Sequence, residues 1–242
     1  LRRSRGLGDV YKRQLLEALG VQPVKLFCTP NGEFPHNPEP LKKHLGDLMR
    51  EVVSQGADFG IVVDPDVDRL AFVDEKGEMF GEEYTLVAVA DYVLANTSGN
   101  TVSNMSSSRA LRDITNKHNG SYTASAVGEV NVVQMMKDTK AVIGGEGNGG
   151  VIYPELHYGR DSLVGVALFL SHLVEQKTTV SGLRASYPSY FMSKQKIALT
   201  PEIDVDAILE KMADTYKTEE ITTIDGVKID FESNWVHLRK SN

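Results

Sequence analysis

Three carboxylates at alternating positions follow an apolar run in Gly60-Ile61-Val62-Val63-Asp64-Pro65-Asp66-Val67-Asp68-Arg69-Leu70. Two like charges about 4 Å apart repel by roughly 4 kcal/mol at an effective dielectric near 20, so three converging aspartates call for a divalent cation. Oxygen-only ligands favour Mg²⁺ or Ca²⁺ over Zn²⁺, and Mg²⁺ leaves coordination positions for a phosphate. Arg69 is a natural partner for the same phosphate. Other chemistries share these residues. Asp64, Asp66, Asp68 and Glu75 have the spacing of an EF-hand loop, but Arg69 stands where that loop needs glycine and the flanks read as strands. Asp-x-Asp after a strand also opens phosphatases that form an aspartyl-phosphate, with Asp64 as nucleophile. Those want a small residue or threonine where Asp68 and Arg69 stand. A solvated acidic turn is the plainest alternative.

A second cluster is Gly144-Gly145-Glu146-Gly147-Asn148-Gly149-Gly150, which follows a strand and lacks the spacing of a Walker or dinucleotide loop. Such a run lets backbone approach a ligand closely, while Glu146 and Asn148 offer hydrogen-bonding groups to vicinal hydroxyls. By itself such a run is more often a flexible turn than a site. Val127-Gly128-Glu129 stands before a helix, where an anion would be favoured. An ordinary strand-to-helix turn reads equally well there. His157 and Arg160 lie just beyond the glycine-rich run, as substrate contacts or as surface side chains.

The elements that must position these groups alternate. Strands are expected over 24–28, 57–63, 70–73, 79–80, 101–104, 121–125 and 141–143. Helices are expected over 15–19, from Leu41 through Val52, and over 83–95, 108–118, 129–137 and 162–175, with Gly120 and Asp161 as caps. This βαβα rhythm predicts an α/β protein with mainly parallel or mixed sheets. Beyond about Tyr190 the pattern changes, through 194–199, to a helix over 205–216 and a hairpin-like stretch at Asp225-Gly226.

Composition narrows the function classes. The chain has 242 residues, 41% of them hydrophobic and 24% charged, and a formal charge of −7. A chain this long buries a sizeable core. The acidic balance argues against a general nucleic-acid binder. No run approaches the ~18 apolar residues of a membrane span. Cys28 is the single cysteine, which excludes an intrachain disulfide and fits a reducing, cytoplasmic setting. Residues 1–14 stand apart: Arg2, Arg3, Arg5, Lys12 and Arg13 face Asp9 alone, and there is no apolar centre or cleavage site of a signal peptide. Asp9-Val10-Tyr11-Lys12-Arg13-Gln14 is what a transposon mosaic end encodes in one frame, so 1–14 reads as non-native sequence.

The aspartate loop resembles the metal loop of the α-D-phosphohexomutases, which move phosphate between the 1- and 6-positions of a hexose phosphate. The family pattern is Asp-Gly-Asp-Gly-Asp-Arg; this chain keeps the three aspartates and the arginine but has Pro65 and Val67 for the glycines. The run around Glu146 resembles the family's sugar loop, Gly-Glu-x-Ser-Gly, with Asn148 replacing the serine. Asn31-Gly32-Glu33-Phe34-Pro35-His36-Asn37-Pro38-Glu39-Pro40 resembles the loop near the start of the family's second domain. Val127-Gly128-Glu129 resembles another active-site loop. His237-Leu238-Arg239-Lys240-Ser241-Asn242 resembles the opening of a phosphate-binding loop.

The resemblance implies Mg²⁺ held by Asp64, Asp66 and Asp68, and a hexose phosphate contacted by Arg69, Glu146, Asn148, His157, Arg160, Val127 and Gly128. It implies phosphate binding by Arg239, Ser241 and Asn242. It divides the chain into a domain over 15–80, a second over 81–191, and the start of a truncated α+β domain over 192–242. The family's phosphoryl carrier is a serine of a domain missing here. Thr123-Ala124-Ser125 and His36-Asn37-Pro38 copy halves of its motif in the wrong order, so no nucleophile is assigned and the chain alone is expected to be inactive.

Overall fold

The structure, a computed structural model, describes residues 2–29, 33–200 and 203–240. Helix α1 (Arg2–Ala18) runs without a break across residue 14 and ends at Gly20, whose φ is +74. A 3₁₀ turn (Lys42–His44) and α2 (Gly46–Gln55) lead to the antiparallel hairpin β1 (Phe59–Val63) and β2 (Leu70–Asp74). The expected strand over 24–28 does not form, and Phe27 sits at φ +54. Among the described residues β1 pairs with β2 alone, so this segment has no ladder to satisfy its N–H and C=O groups. A cleft of about 1360 Å³ lies between residues 20–29 and β1. The helix expected from Leu41 is interrupted at Leu45, which is buried and caps α2. The strand expected at 79–80 reduces to a single bridge between Val73 and Met79.

The next unit is an α/β sandwich built from α3 (Glu82–Asn96), β3 (Asn100–Asn104), α4 (Ala110–Lys117), β4 (Tyr122–Ser125), α5 (Glu129–Thr139), β5 (Ala141–Glu146), β6 (Gly150–Ile152), α6 (Ser162–Gln176) and α7 (Val180–Ala185). The sheet order is β4-β3-β5-β6, parallel across β4, β3 and β5 and antiparallel at β6. Helix α3 is apolar all round because it is enclosed: Leu86, Val87, Ala88, Val89, Ala90 and Val93 are all buried. On the opposite face α5 covers the sheet with Val132 and Met136. Asp161 caps α6 as expected, accepting from the N–H groups of Leu163 (2.7 Å) and Val164 (3.1 Å). Gly120 does not supply the left-handed residue after α4. Asn119 does (φ +58), a residue type that tolerates that region, and the Gly120 N–H then closes onto the Thr115 carbonyl.

The hairpin and the sandwich share one core. Phe72 of β2 stacks on Phe169 of α6 with ring centroids 3.8 Å apart, and Phe80 meets Phe169 edge-on at 5.0 Å. Each such aromatic pair adds about 0.5–1.5 kcal/mol beyond its buried area. The Leu70 N–H donates to the Gly149 carbonyl (3.1 Å), and a Cβ on Gly149 would lie 2.1 Å from the Leu70 carbonyl oxygen. Only glycine allows this approach.

The chain closes with α8 (Val205–Thr215) packed on a three-stranded antiparallel sheet of β7 (Glu220–Thr222), β8 (Val227–Asp230) and β9 (Trp235–Leu238). The short elements β6, α7 and β9 carry no periodicity long enough to be read from sequence. No helix among the described residues is long and apolar enough to cross a membrane.

Candidate active site

The aspartate loop is the connection of the β1–β2 hairpin, so the strand pairing fixes both of its ends. Asp64 Oδ1 accepts the N–H of Asp68 (3.1 Å) and of Arg69 (3.0 Å), and the Val67 N–H donates to the Asp64 carbonyl (3.1 Å). The loop therefore winds around a buried Asp64. Val67 sits at φ +63, in the left-handed region expected of the glycine it replaces. Ligand oxygens of Asp64, Asp66 and Asp68 all lie within 4.8 Å of one another, with Asp66 the exposed member.

Burial, followed by the hydrogen bond and charge of Asp64, pushes the Asp68 carboxyl up to about 7, against the lowering effect of Arg160. Its Oδ1 is buried and has no hydrogen-bond partner among the described residues. An all-oxygen donor set with crowded negative charge and an unpaired acceptor fits a hard divalent cation.

The EF-hand alternative fails on geometry. Strands flank the loop, and Glu75 is turned away to α7, where its carboxylate accepts the Ser181 hydroxyl and the Ser181 N–H (3.1 Å). Burial opposes ionisation of Glu75, but these hydrogen bonds prevail and hold it down at about 2. The phosphatase reading wants an Asp-x-Asp leaving a strand within a parallel sheet, whereas β1 belongs to an antiparallel hairpin.

Arg160 gathers three of the expected motifs. Its guanidinium pairs with Asp68, with Glu146 (3.2 Å) and with Glu129 (3.1 Å). Its backbone N–H also donates to Glu129 (3.1 Å). Glu146 accepts in addition from Asn104 Nδ2 (3.0 Å), which leaves its carboxylate buried and held from both sides. The aspartate loop, the segment at 127–129 and the glycine-rich run thus meet at one side chain.

The remaining expected residues are placed as follows. Arg69 lies 3.6 Å from Asp64 and 3.7 Å from Glu39. Asn148 Oδ1 accepts the Gly150 N–H (3.2 Å), closing its own turn. His157 is exposed; it accepts the Gly159 N–H at Nδ1 and pairs through Nε2 with Asp161, each at 3.0 Å. The Val127 N–H donates to the Asp225 carboxylate (3.0 Å), so an anion does lie before α5, supplied by the chain itself. Gly128 caps α5 at φ +114. Arg239 is exposed just after β9. Ser241 and Asn242 lie outside the described residues, as do Asn31 and Gly32.

Four residues at the site have no functional role in the sequence reading, which places Ser106 only as capping or entering a helix and Glu83 only as a helix start. Glu129 had been part of a recognised motif without a role. Asn104 had no local signal. The Ser106 hydroxyl donates to Nδ1 of His237 (2.8 Å), whose Nε2 donates to the Asp225 carbonyl (2.6 Å). Burial pushes the His237 imidazole below its ordinary value, against the hydrogen bond to the Asp225 carbonyl. Glu83, at the start of α3, faces the backbone of Gly147.

The profile of phosphoglucomutase/phosphomannomutase, alpha/beta/alpha domain II, matches residues 3–77, and that of alpha/beta/alpha domain III matches 81–190. A phosphoglucomutase/phosphomannomutase of Thermococcus kodakarensis is 35% identical over 98% of this chain and 53% of its own length. A probable phosphoglucosamine mutase of Methanopyrus kandleri is 32% identical over 94% of this chain and 51% of its own. The chain thus spans about half the length of the curated relatives it matches. A crystal structure of a phosphoglucomutase/phosphomannomutase family protein from Burkholderia thailandensis superposes with a TM-score of 0.81 at 25% identity, over 99% of this chain and 52% of that one.

Proposed function

The chain belongs to the phosphoglucomutase/phosphomannomutase family, and from that premise we propose that it supplies the metal-binding and sugar-recognition parts of a phosphohexomutase. The full enzyme would interconvert hexose 1-phosphate and hexose 6-phosphate, with its phosphoryl carrier a serine in a domain outside these residues. The observation that carries the reading is the convergence of the aspartate trio, Glu146 and Glu129 on Arg160.

Asp64, Asp66 and Asp68 would hold Mg²⁺, which when bound neutralises charge on a transferring phosphoryl group. The side chains of this chain do the rest. Glu146, fixed by Asn104 and Arg160, presents a carboxylate to sugar hydroxyls. A carboxylate accepts equally from either of two vicinal hydroxyls, which suits a substrate that must bind in two orientations. Arg69 stands beside Asp64 as a partner for substrate phosphate, and Arg239 and Ser241 are assigned to the second phosphate. Without the serine domain, residues 1–242 alone are assigned no turnover. The lack of any cysteine pair accords with a cytoplasmic enzyme.

Conversion of hexose 1-phosphate to hexose 6-phosphate by the full-length gene product, followed by ³¹P NMR with Mg²⁺, tests this. Turnover that needs Mg²⁺ and drops by about 10² or more in Asp66→Asn is expected. A full-length product without mutase turnover, or with turnover indifferent to that substitution, overturns the reading.

A further inference from the structure

Arg160 is held in place by more than its side chain: its backbone bridges to Ile152, and its N–H is tied to Glu129. The guanidinium is 14% exposed and is shared among Asp68, Glu146 and Glu129. One positive charge cannot satisfy three carboxylates, so whatever draws it toward one weakens its hold on the others. The other oxygen of Asp68 is buried and has no hydrogen-bond partner among the described residues, so Arg160 is the cationic side chain that faces that aspartate. Arg69 faces Asp64 and Glu39 and does not share this role.

We infer that Arg160 is a positioning residue that couples cation occupancy of the aspartate trio to the sugar loop, by moving between Asp68 and Glu146. A cation on Asp68 displaces the guanidinium toward Glu146 and Glu129 and tightens the sugar loop. Neutralising Glu146 returns the guanidinium to Asp68 and weakens cation binding. Because the coupling is a difference in binding free energy, it acts equally in both directions. The inference rests on the proposed metal site, so its test separates the two.

Calorimetric titration of residues 1–242 with Mg²⁺ alone, across a double-mutant cycle, is the experiment. Arg160→Met removes the competing cation and should tighten Mg²⁺ binding by roughly three- to tenfold. Glu146→Gln should weaken binding by a similar factor in the wild-type background and leave it unchanged in Arg160→Met. Arg160→Lys, which keeps the charge, should restore near-wild-type affinity, a rescue that a purely structural loss would not show. Equal effects of Glu146→Gln in both backgrounds, or unchanged or weaker binding in Arg160→Met, overturn the coupling while leaving the metal site intact. Absence of binding to wild type and Asp66→Asn alike overturns the metal site and the coupling together.

Discussion

The Ser162 hydroxyl donates to the carbonyl of Val67 across 2.7 Å, and the Ser162 N–H donates to the same oxygen at 3.3 Å. The first residue of α6 therefore fixes the residue between Asp66 and Asp68. This matters because Val67 occupies the left-handed region, where a β-branched side chain costs about 1–2 kcal/mol. The strain is local, and the hydrogen bonds that oppose it come from a different unit of the fold.

Ser162→Ala should lower stability by about 1–2 kcal/mol, the effect of leaving the Val67 carbonyl underpaired. Val67→Gly should raise it by about 0.5 kcal/mol, strain relief exceeding the added chain freedom of glycine. Urea denaturation checks both. A loss of stability in Val67→Gly would show that the valine contributes more by packing than it loses to strain.

Arg109 is a second fixed point. Its guanidinium donates to the carbonyls of Glu232 (3.0 Å), Phe231 (2.6 Å) and Asn234 (2.8 Å) and pairs with Asp230 (3.1 Å), tying the loop before α4 to the C-terminal sheet. Arg109→Leu removes the charged donor shared by these three carbonyls and the Asp230 carboxylate and should cost about 2 kcal/mol. Hydrogen exchange should show β8 and β9 losing protection while β3 and β5 keep theirs. Uniform loss across all four strands would mean the latch serves the whole fold.

Glu83 gives a pH signature. Burial pushes its carboxyl up to about 7, although the Ser108 N–H, donating to Oε2 at 2.9 Å, pulls the other way. Its Oε1 has no hydrogen-bond partner among the described residues and faces Gly147 of the glycine-rich run. A carboxyl raised on folding stabilises below its unfolded value near 4.5 and loses that contribution as pH rises through 7. Glu83→Gln should flatten the stability profile between about pH 4.5 and 7 (the window set by these two values) and gain up to about 3 kcal/mol at pH 8. Thermal melts of both proteins across that range measure it; parallel curves would refute the assignment.

What the sequence reveals here is what short spacing encodes. The aspartate trio, the glycine-rich run around Glu146 and the cap at Asp161 each lie within one turn or loop, and each is where local chemistry predicts. The α/β alternation is legible for the same reason. The partners of Arg160 are not, because Asp68, Glu129 and Glu146 come from a loop, the start of α5 and the end of β5, stretches that meet only through tertiary packing such as that of Phe72 against Phe169 and of Leu70 against Gly149. Residues 24–28 have strand-like composition, but a strand also needs a neighbour, which no local pattern reports. Val127 illustrates the converse: its loop does suit an anion, and the anion is Asp225.

The central claim is that the aspartates of the β1–β2 hairpin bind a magnesium ion. Paramagnetic titration with Mn²⁺ as a substitute, read by the free-ion EPR signal, tests it most directly because Asp66 is exposed and can be changed without disturbing the core. The account predicts that wild-type protein depletes the free signal with one site per chain, that added Mg²⁺ restores it, and that Asp66→Asn depletes it little. Undiminished free signal with wild type, or equal depletion by Asp66→Asn, would contradict it.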